Sequence, residues 1–330
     1  MSEAYIRVEN LKKYFPTKRG MLHAVDDVSF EIKRGETLGL VGESGCGKST
    51  LGRCLIRLLD STSGKILLKN DADDNYTDIT KASAHEMKAL RKRVQIVFQD
   101  PYSCLNPRLS VWELIAEPLI VNNIYSDKNE MRKRIRFLMD TVGLTERLEN
   151  SYPHELDGGR RQRIGIARSL ALNPEFIVLD EPVSALDVCI QAQILNLLNS
   201  LQKEFKYTYV FISHNLSVVR HVSDRIAVMY LGQIVELSEY KALFSNPLHP
   251  YTQALLSAIP LAKLDIKRER IILEGDVPSP IEPPNACRFA GRCRYAKDIC
   301  KTTPPALQEI LPGHFTACHF AKENIECIQH

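Results

Sequence analysis

ETLGLVGESGCGKSTLGRCLIRLL, residues Glu36 to Leu59, decides the fold. An apolar run ends in glycine, as a buried strand does. A glycine-rich turn follows, and then apolar residues at helical spacing. Within it, Gly42 to Ser49 match G-x-x-x-x-G-K-[ST] in full. The strand before and the helix after supply the context that such a loop needs. Gly42, Gly45 and Gly47 let the backbone bend so that successive N–H groups point at phosphate. The helix N-terminus adds partial positive charge. Lys48 is expected to reach the β/γ-phosphates, and Ser49 to ligate Mg²⁺. A glycine-rich turn matching by chance is the competing reading.

Working outward, further strand-like runs appear at AYIRVENL, AVDDVSFEI, RVQIVFQD, EFIVLDEP, YTYVFISH and DRIAVMYLGQIVE. Residues 110–172 read as mostly helical, with expected breaks at Pro118, Gly143 and Pro153. IQAQILNLLNSLQKEF is a further helix. Strands alternating with helices predict an α/β protein with a mainly parallel sheet. One phosphate loop and no internal repeat predict one nucleotide-binding domain. After about residue 245 the chain becomes proline-rich and predicts a loop-rich second region.

Three polar strand ends add chemistry. FIVL delivers Asp180 and Glu181 to a strand terminus, where open parallel sheets bind ligands. Asp180 is placed for Mg²⁺ or its waters, and Glu181 to polarise the attacking water as general base. A polar loop start is the plain alternative. Gln99 closes VQIVFQ and His214 closes YVFISH, each a polar group after an apolar run. Alone, each reads as a core or turn residue. With the phosphate loop, they are expected to face the γ-phosphate.

These parts, in this order, resemble the ATP-binding subunits of ABC transporters. GESGCGKST is similar to Walker A, VFQD to the Q-loop, FIVLDE to Walker B, SALD to the D-loop with Asp187, and ISH to the switch histidine. The resemblance covers about residues 3–245. It implies a P-loop NTPase of the ABC type: a parallel-sheet core, an antiparallel β region and an inserted helical subdomain at about 100–170. It also implies that Gly42, Glu43, Ser44, Gly45, Cys46, Gly47, Lys48, Ser49, Thr50 and Gln99 contact ATP. Phe15, with Tyr14 beside it in LKKYFP, is implied to stack on adenine. Ser49, Gln99 and Asp180 are implied to serve Mg²⁺.

HELDGGRRQR, from His154, stands where the family has L-S-G-G-Q. Here it reads Leu156, Asp157, Gly158, Gly159, Arg160. The glycines would let the partner subunit's ATP approach a helix N-terminus. Asp157 departs from serine: it either repels γ-phosphate, making two ATP sites unequal, or caps the helix. Arg160, Arg161 and Arg163 either offset its charge or form a solvated face.

QDPYSCLNPR, HNLSVVRHVSDRIAVMYLGQIVE and NPLHPYTQALLSAIP narrow the resemblance to the oligopeptide/dipeptide importer branch, which also includes nickel importers. That branch implies a head-to-tail ATPase heterodimer, two membrane permease subunits and an extracytoplasmic substrate-binding protein. This chain is similar to the subunit often termed F. Residues 246–330 would be the branch's C-terminal extension. A soluble ABC ATPase is disfavoured, because there is one phosphate loop and no sustained heptads.

The extension carries Cys287, Cys293, Cys300 and Cys318, with Cys327 beyond. Four thiolates suit an iron–sulfur cluster or a structural zinc. The spacing fits neither common zinc pairs nor ferredoxin runs. It resembles the cysteine motif that holds a [4Fe-4S] cluster in some peptide-importer ATPases. Unligated thiols are the plain reading, and His314 and His319 keep a mixed zinc site open. Cys327 is expected to be a free thiol.

Bulk properties bound the rest. With 43 basic and 40 acidic residues the formal charge is +3, which gives no electrostatic case for nucleic acid. No apolar run approaches the roughly 20 residues of a membrane span, and MSEAYIRVEN has no signal-peptide core. The expected location is peripheral, on the cytoplasmic face of the cell membrane.

Overall fold

The computed structural model describes residues 4–70, 75–259 and 270–323. Cys327 lies outside the described residues. In chain order the elements begin with β1 (Ala4–Thr17), β2 (Gly20–Lys33), β3 (Thr37–Val41), α1 (Lys48–Leu55), β4 (Ser63–Lys69) and β5 (Tyr76–Asp78). Next come α2 (Ala84–Arg93), β6 (Val94–Val97), α3 (Val111–Val121), α4 (Lys128–Thr141) and α5 (Gly158–Leu170). Then follow β7 (Phe176–Asp180), α6 (Val188–Phe205), β8 (Thr208–Ser213), α7 (Leu216–Val222), β9 (Arg225–Tyr230) and β10 (Gln233–Glu239). The last are α8 (Tyr240–Ser245), α9 (Pro250–Ser257), α10 (Asp298–Thr302), β11 (Gln308–Leu311) and β12 (His314–Thr316).

The chain divides into two compact units, Met1–Thr80 with Phe211–His330, and Lys81–Val210. In the first, β2, β1, β4 and β5 form an antiparallel sheet. β3 pairs in parallel with β9, Val41 opposite Val228. All five β3 residues are buried, which is why this strand reads as a continuous apolar run. β9 pairs antiparallel with β10, β10 with β12, and β12 with β11. The proline-rich region past residue 245 therefore extends a sheet of this unit: Leu237 of β10 lies opposite Phe315.

Glu236 fixes that extension. It is fully buried on β10, and its carboxylate accepts the Leu248 N–H at 2.7 Å and the His249 N–H at 3.0 Å. His314 Nε2 of β12 lies 2.7 Å from the same carboxylate. Burial pushes the His249 imidazole down to about 4. It therefore stays neutral, and its Nδ1 accepts the Tyr251 N–H, capping α9.

In the second unit β6 and β7 run parallel, Val97 opposite Leu179. Helices α3, α4 and α5 pack on one another. Ser110 with Glu113 makes a capping box for α3, and Asp127 caps α4. The expected break at Gly143 occurs, with φ 70° just after α4. The expected break at Pro118 does not: α3 runs through it to Val121. Only three residues follow the proline, so a single helical hydrogen bond near the end is forfeited.

Removing the Glu236 carboxylate strands two buried N–H groups. Glu236→Ala is expected to cost about 3–5 kcal/mol and Glu236→Gln less, read from urea unfolding of the full chain. A cost for the alanine below about 1 kcal/mol would contradict this account.

Candidate ATP site

The phosphate loop, in the first unit, connects β3 to α1. Gly42 has φ 154° and Gly47 φ 105°. A Cβ on Gly42 would sit 2.1 Å from the Met229 carbonyl oxygen, and one on Gly47 2.0 Å from that of Ala24. These glycines are required by close backbone approach as well as by φ. Gly45, φ 78°, meets nothing within 4 Å, so its need is conformational alone. Lys48, 5% exposed, donates to the carbonyls of Gly42 at 2.8 Å and Glu43 at 2.9 Å. Its ammonium is thus held inside the loop, and Cys46 Sγ lies 3.7 Å from it. Burial raises the Cys46 thiol, which keeps it neutral. Ser49 and Thr50 stand in the first turn of α1, half-buried.

Tyr14 and Phe15 are neighbours on β1. The Tyr14 ring stacks on His23 with centroids 3.9 Å apart, and its hydroxyl donates to Asp26. Lys13 Nζ lies 4.8 Å from the Phe15 centroid. His214 follows β8 and is exposed.

In the second unit the parallel register decides the geometry. Val97 lies opposite Leu179, so residues two further along each strand meet. Gln99 Nε2 donates to Glu181 Oε2 at 3.0 Å. Asp180 ends β7 and is 2% exposed. Glu181 takes φ 48°, a left-handed backbone unusual for this residue type. Sequence pattern gave no sign of that strain. Asp187 is exposed at the N-cap of α6.

The opening of α5 is also resolved. Asp157 accepts the Arg160 N–H at 2.8 Å, so it caps the helix, and its other oxygen lies 3.4 Å from Arg160 Nε. Arg161 and Arg163 do not share that role. Arg161 is 8% exposed, donates to Pro153 O and lies 3.9 Å over the Tyr102 ring. Arg163 donates to Val142 O at the end of α4. Gly159 has a reason of its own, since a Cβ there would meet Ile190 at 2.7 Å.

Residues 25–184 match the ABC transporter family, and 235–300 match the oligopeptide/dipeptide transporter C-terminal region. The chain belongs to the ABC transporter ATP-binding subunits, in the peptide-importer branch. It is 52% identical over 327 residues to the oligopeptide transport ATP-binding protein AppF of Bacillus subtilis (strain 168), covering 96% of this chain and 97% of that one. It is 49% identical over 313 residues to a putative peptide import ATP-binding protein, BAB2_0818, of Brucella abortus (strain 2308), covering 95% and 96%. Among solved structures it resembles the ATP-binding cassette MJ0796 bound to ADP and Pi. That match has TM-score 0.63 and 30% identity, over 71% of this chain and 98% of that one. It also resembles cbiO1 from Clostridium perfringens, part of the ABC transporter complex cbiONQ, with TM-score 0.64 and 30% identity, over 74% and 91%. The chain is an ATPase subunit with the ABC P-loop fold. No helix among the described residues is long and apolar enough to cross a membrane.

The four tail cysteines line one small cavity of about 20 Å³ in the first unit, together with Phe289, Tyr295 and Phe320. Burial pushes Cys287 and Cys318 up to about 11, and raises Cys293. Among the described residues no three or more His, Cys, Asp or Glu stand as a metal-ion ligand set.

The cap separates two explanations of Asp157. Asp157→Ala is expected to lower stability by about 1 kcal/mol and Asp157→Ser by a few tenths. Equal losses in thermal unfolding would show that the hydrogen bond to Arg160 N–H contributes nothing.

Proposed function

We propose that this subunit powers import of oligopeptides or dipeptides from the cytoplasmic face of the membrane, acting on two permease subunits and paired head to tail with a second, different ATPase. The observation that carries this is the peptide-transporter C-terminal region at 235–300, joined to relatives named for peptide transport. An extracytoplasmic binding protein would deliver the solute to the permeases.

Roles are assigned residue by residue. Lys48 and the loop amides hold phosphate. Ser49, Gln99 and Asp180 offer oxygen donors, the set that suits Mg²⁺, which when bound neutralises phosphate charge. Glu181 takes the proton of the attacking water, and His214 contacts the γ-phosphate. Phe15 or Tyr14 stacks on adenine. Gly158, Gly159 and Arg160 with Asp157 meet the partner's ATP, and Asp187 faces the partner. The Gln99–Glu181 bond supports a gate: Gln99 constrains the base until nucleotide competes for the glutamine.

We assign the permease contact to the second unit. A cavity of about 510 Å³ is lined by Phe98, Pro101, Leu105, Val121, Arg161 and Arg168. Its mix of apolar walls and guanidinium groups suits an amphipathic segment with a carbonyl or carboxylate end.

Glu181→Gln, with the partner's glutamate also replaced, is expected to abolish ATP hydrolysis and labelled-peptide uptake in proteoliposomes while ATP still binds. Near-normal turnover sinks the assignment. Peptide-independent hydrolysis with no uptake by the wild-type assembly sinks the substrate class.

We also propose that Cys287, Cys293, Cys300 and Cys318 hold a [4Fe-4S] cluster. Four thiols around one apolar-walled cavity, Cys300 buried and the other three half-buried, are the supporting chemistry. The cavity has room for about one water-sized body, so cluster loading requires it to widen. That small volume is what favours the second reading, zinc. Anaerobic purification should give a brown protein with about four irons per chain, and colour should fall on Cys300→Ser. A colourless preparation carrying stoichiometric zinc overturns the cluster.

A further inference from the structure

Between the first two tail cysteines lies Arg288-Phe289-Ala290-Gly291-Arg292; Arg292 reaches the phosphate loop, and Arg288 reaches Asp26 and the turn after β9. Arg292 grips Glu43 with both terminal nitrogens, Nη1 to Oε2 at 2.9 Å and Nη2 to Oε1 at 3.3 Å. The arginine side chain is 9% exposed and the glutamate side chain 28%, so this ion pair is partly shielded from the screening that weakens surface pairs. The backbone of Glu43 is held as well: its N–H donates to the Tyr251 hydroxyl at 2.9 Å.

Arg288 works on the loop's support. It donates to Asp26 and to the Leu231 carbonyl. Leu231 and Gly232 form the turn between β9 and β10. The Gly232 N–H donates to Cys46 O, inside the phosphate loop, at 2.8 Å, and Gly232 O accepts the Asp26 N–H at 2.8 Å. Asp26 in turn accepts the Tyr14 hydroxyl. Phe289, 2% exposed between the two arginines, locks the segment by packing at 5.3 Å on Tyr230 and 5.5 Å on Tyr251. The tail also approaches the loop from another side: Val277 to Pro280 and Glu43 to Cys46 line one cavity of about 300 Å³.

We infer that the 287–293 segment of the C-terminal region is a brace that sets the conformation of the phosphate loop, with Arg292 as a positioning residue for ATP binding through Glu43. The physical reason lies in the loop itself. Its glycines allow many backbone conformations, and the conformation that aims amides at phosphate must be selected from them. A half-buried bidentate pair at the loop's second residue restricts that choice before nucleotide arrives. The inference rests on the assignment of residues 42–49 to the phosphates of ATP, which MgATP binding to the wild-type chain checks separately. It does not depend on what the cysteines bind.

The test is a double-mutant cycle on the full-length chain, read by fluorescence titration with N-methylanthraniloyl-ATP and Mg²⁺. Arg292→Ala is expected to weaken binding roughly tenfold, the scale of one charge-assisted contact. Arg292→Lys should recover part of it, keeping charge without the fork. Glu43→Gln should weaken binding too, and the double variant should be no worse than the weaker single. In the assembled transporter, KM for ATP should rise by a larger factor than kcat falls. Unchanged affinity in Arg292→Ala with a native melting curve overturns the inference, as do additive losses in the cycle. Should Arg292→Ala not fold, unchanged affinity in Glu43→Gln overturns it equally.

Discussion

The phosphate loop lies in van der Waals contact with two backbone carbonyls, those of Met229 and Ala24, at positions where any side chain would collide. That closeness is the constraint on which the first unit depends. β9 carries Met229 and β2 carries Ala24, so the loop can only be right if both strands are. The parallel pairing of β3 with β9 sets one distance, and the hairpin of β1 and β2 brings in the other. Turning carbonyl oxygens inward around a tight loop concentrates negative potential. Lys48 answers it by donating to two of them, and this holds a cation inside the loop.

The second unit solves a different problem by register. β6 and β7 are short, but being parallel and in step they deliver residues of equal offset to the same place. Gln99 and Glu181 meet for that reason. Glu181 adopts a left-handed backbone to do so, at a cost of roughly 1 kcal/mol or more. Pro182 and Val183, both buried, fix the chain beyond it. Gln99 also begins the segment that runs into α3, so its hydrogen bond ties that segment to the end of β7.

Much of this was legible in the sequence. Buried strands announce themselves as apolar runs, and GESGCGKST and FIVLDE each carry their chemistry in consecutive residues. What pattern could not reveal are the contacts between distant positions. Arg292 and Glu43 are 249 residues apart, and nothing near either names the other. Pro118 misled because a proline signal is local, whereas α3 is held by packing on α4 and α5 and by its capped start. The four cysteines were visible as a set, and their convergence on one cavity was not.

The L-D-G-G-R variant of the signature can now be weighed as a pair of changes. A serine would cap α5 as aspartate does, so capping alone does not distinguish them. What aspartate adds is charge, exposed at the start of α5. Arg160, the other departure, places Nε 3.4 Å from that carboxylate. The two departures therefore compensate one another, neutral serine and glutamine giving way to an acid and a base of opposite sign. Both are exposed, so the attraction is weak and leaves the guanidinium free to change partner. Gly159, held by its approach to Ile190, keeps the helix start where it is whichever partner Arg160 takes.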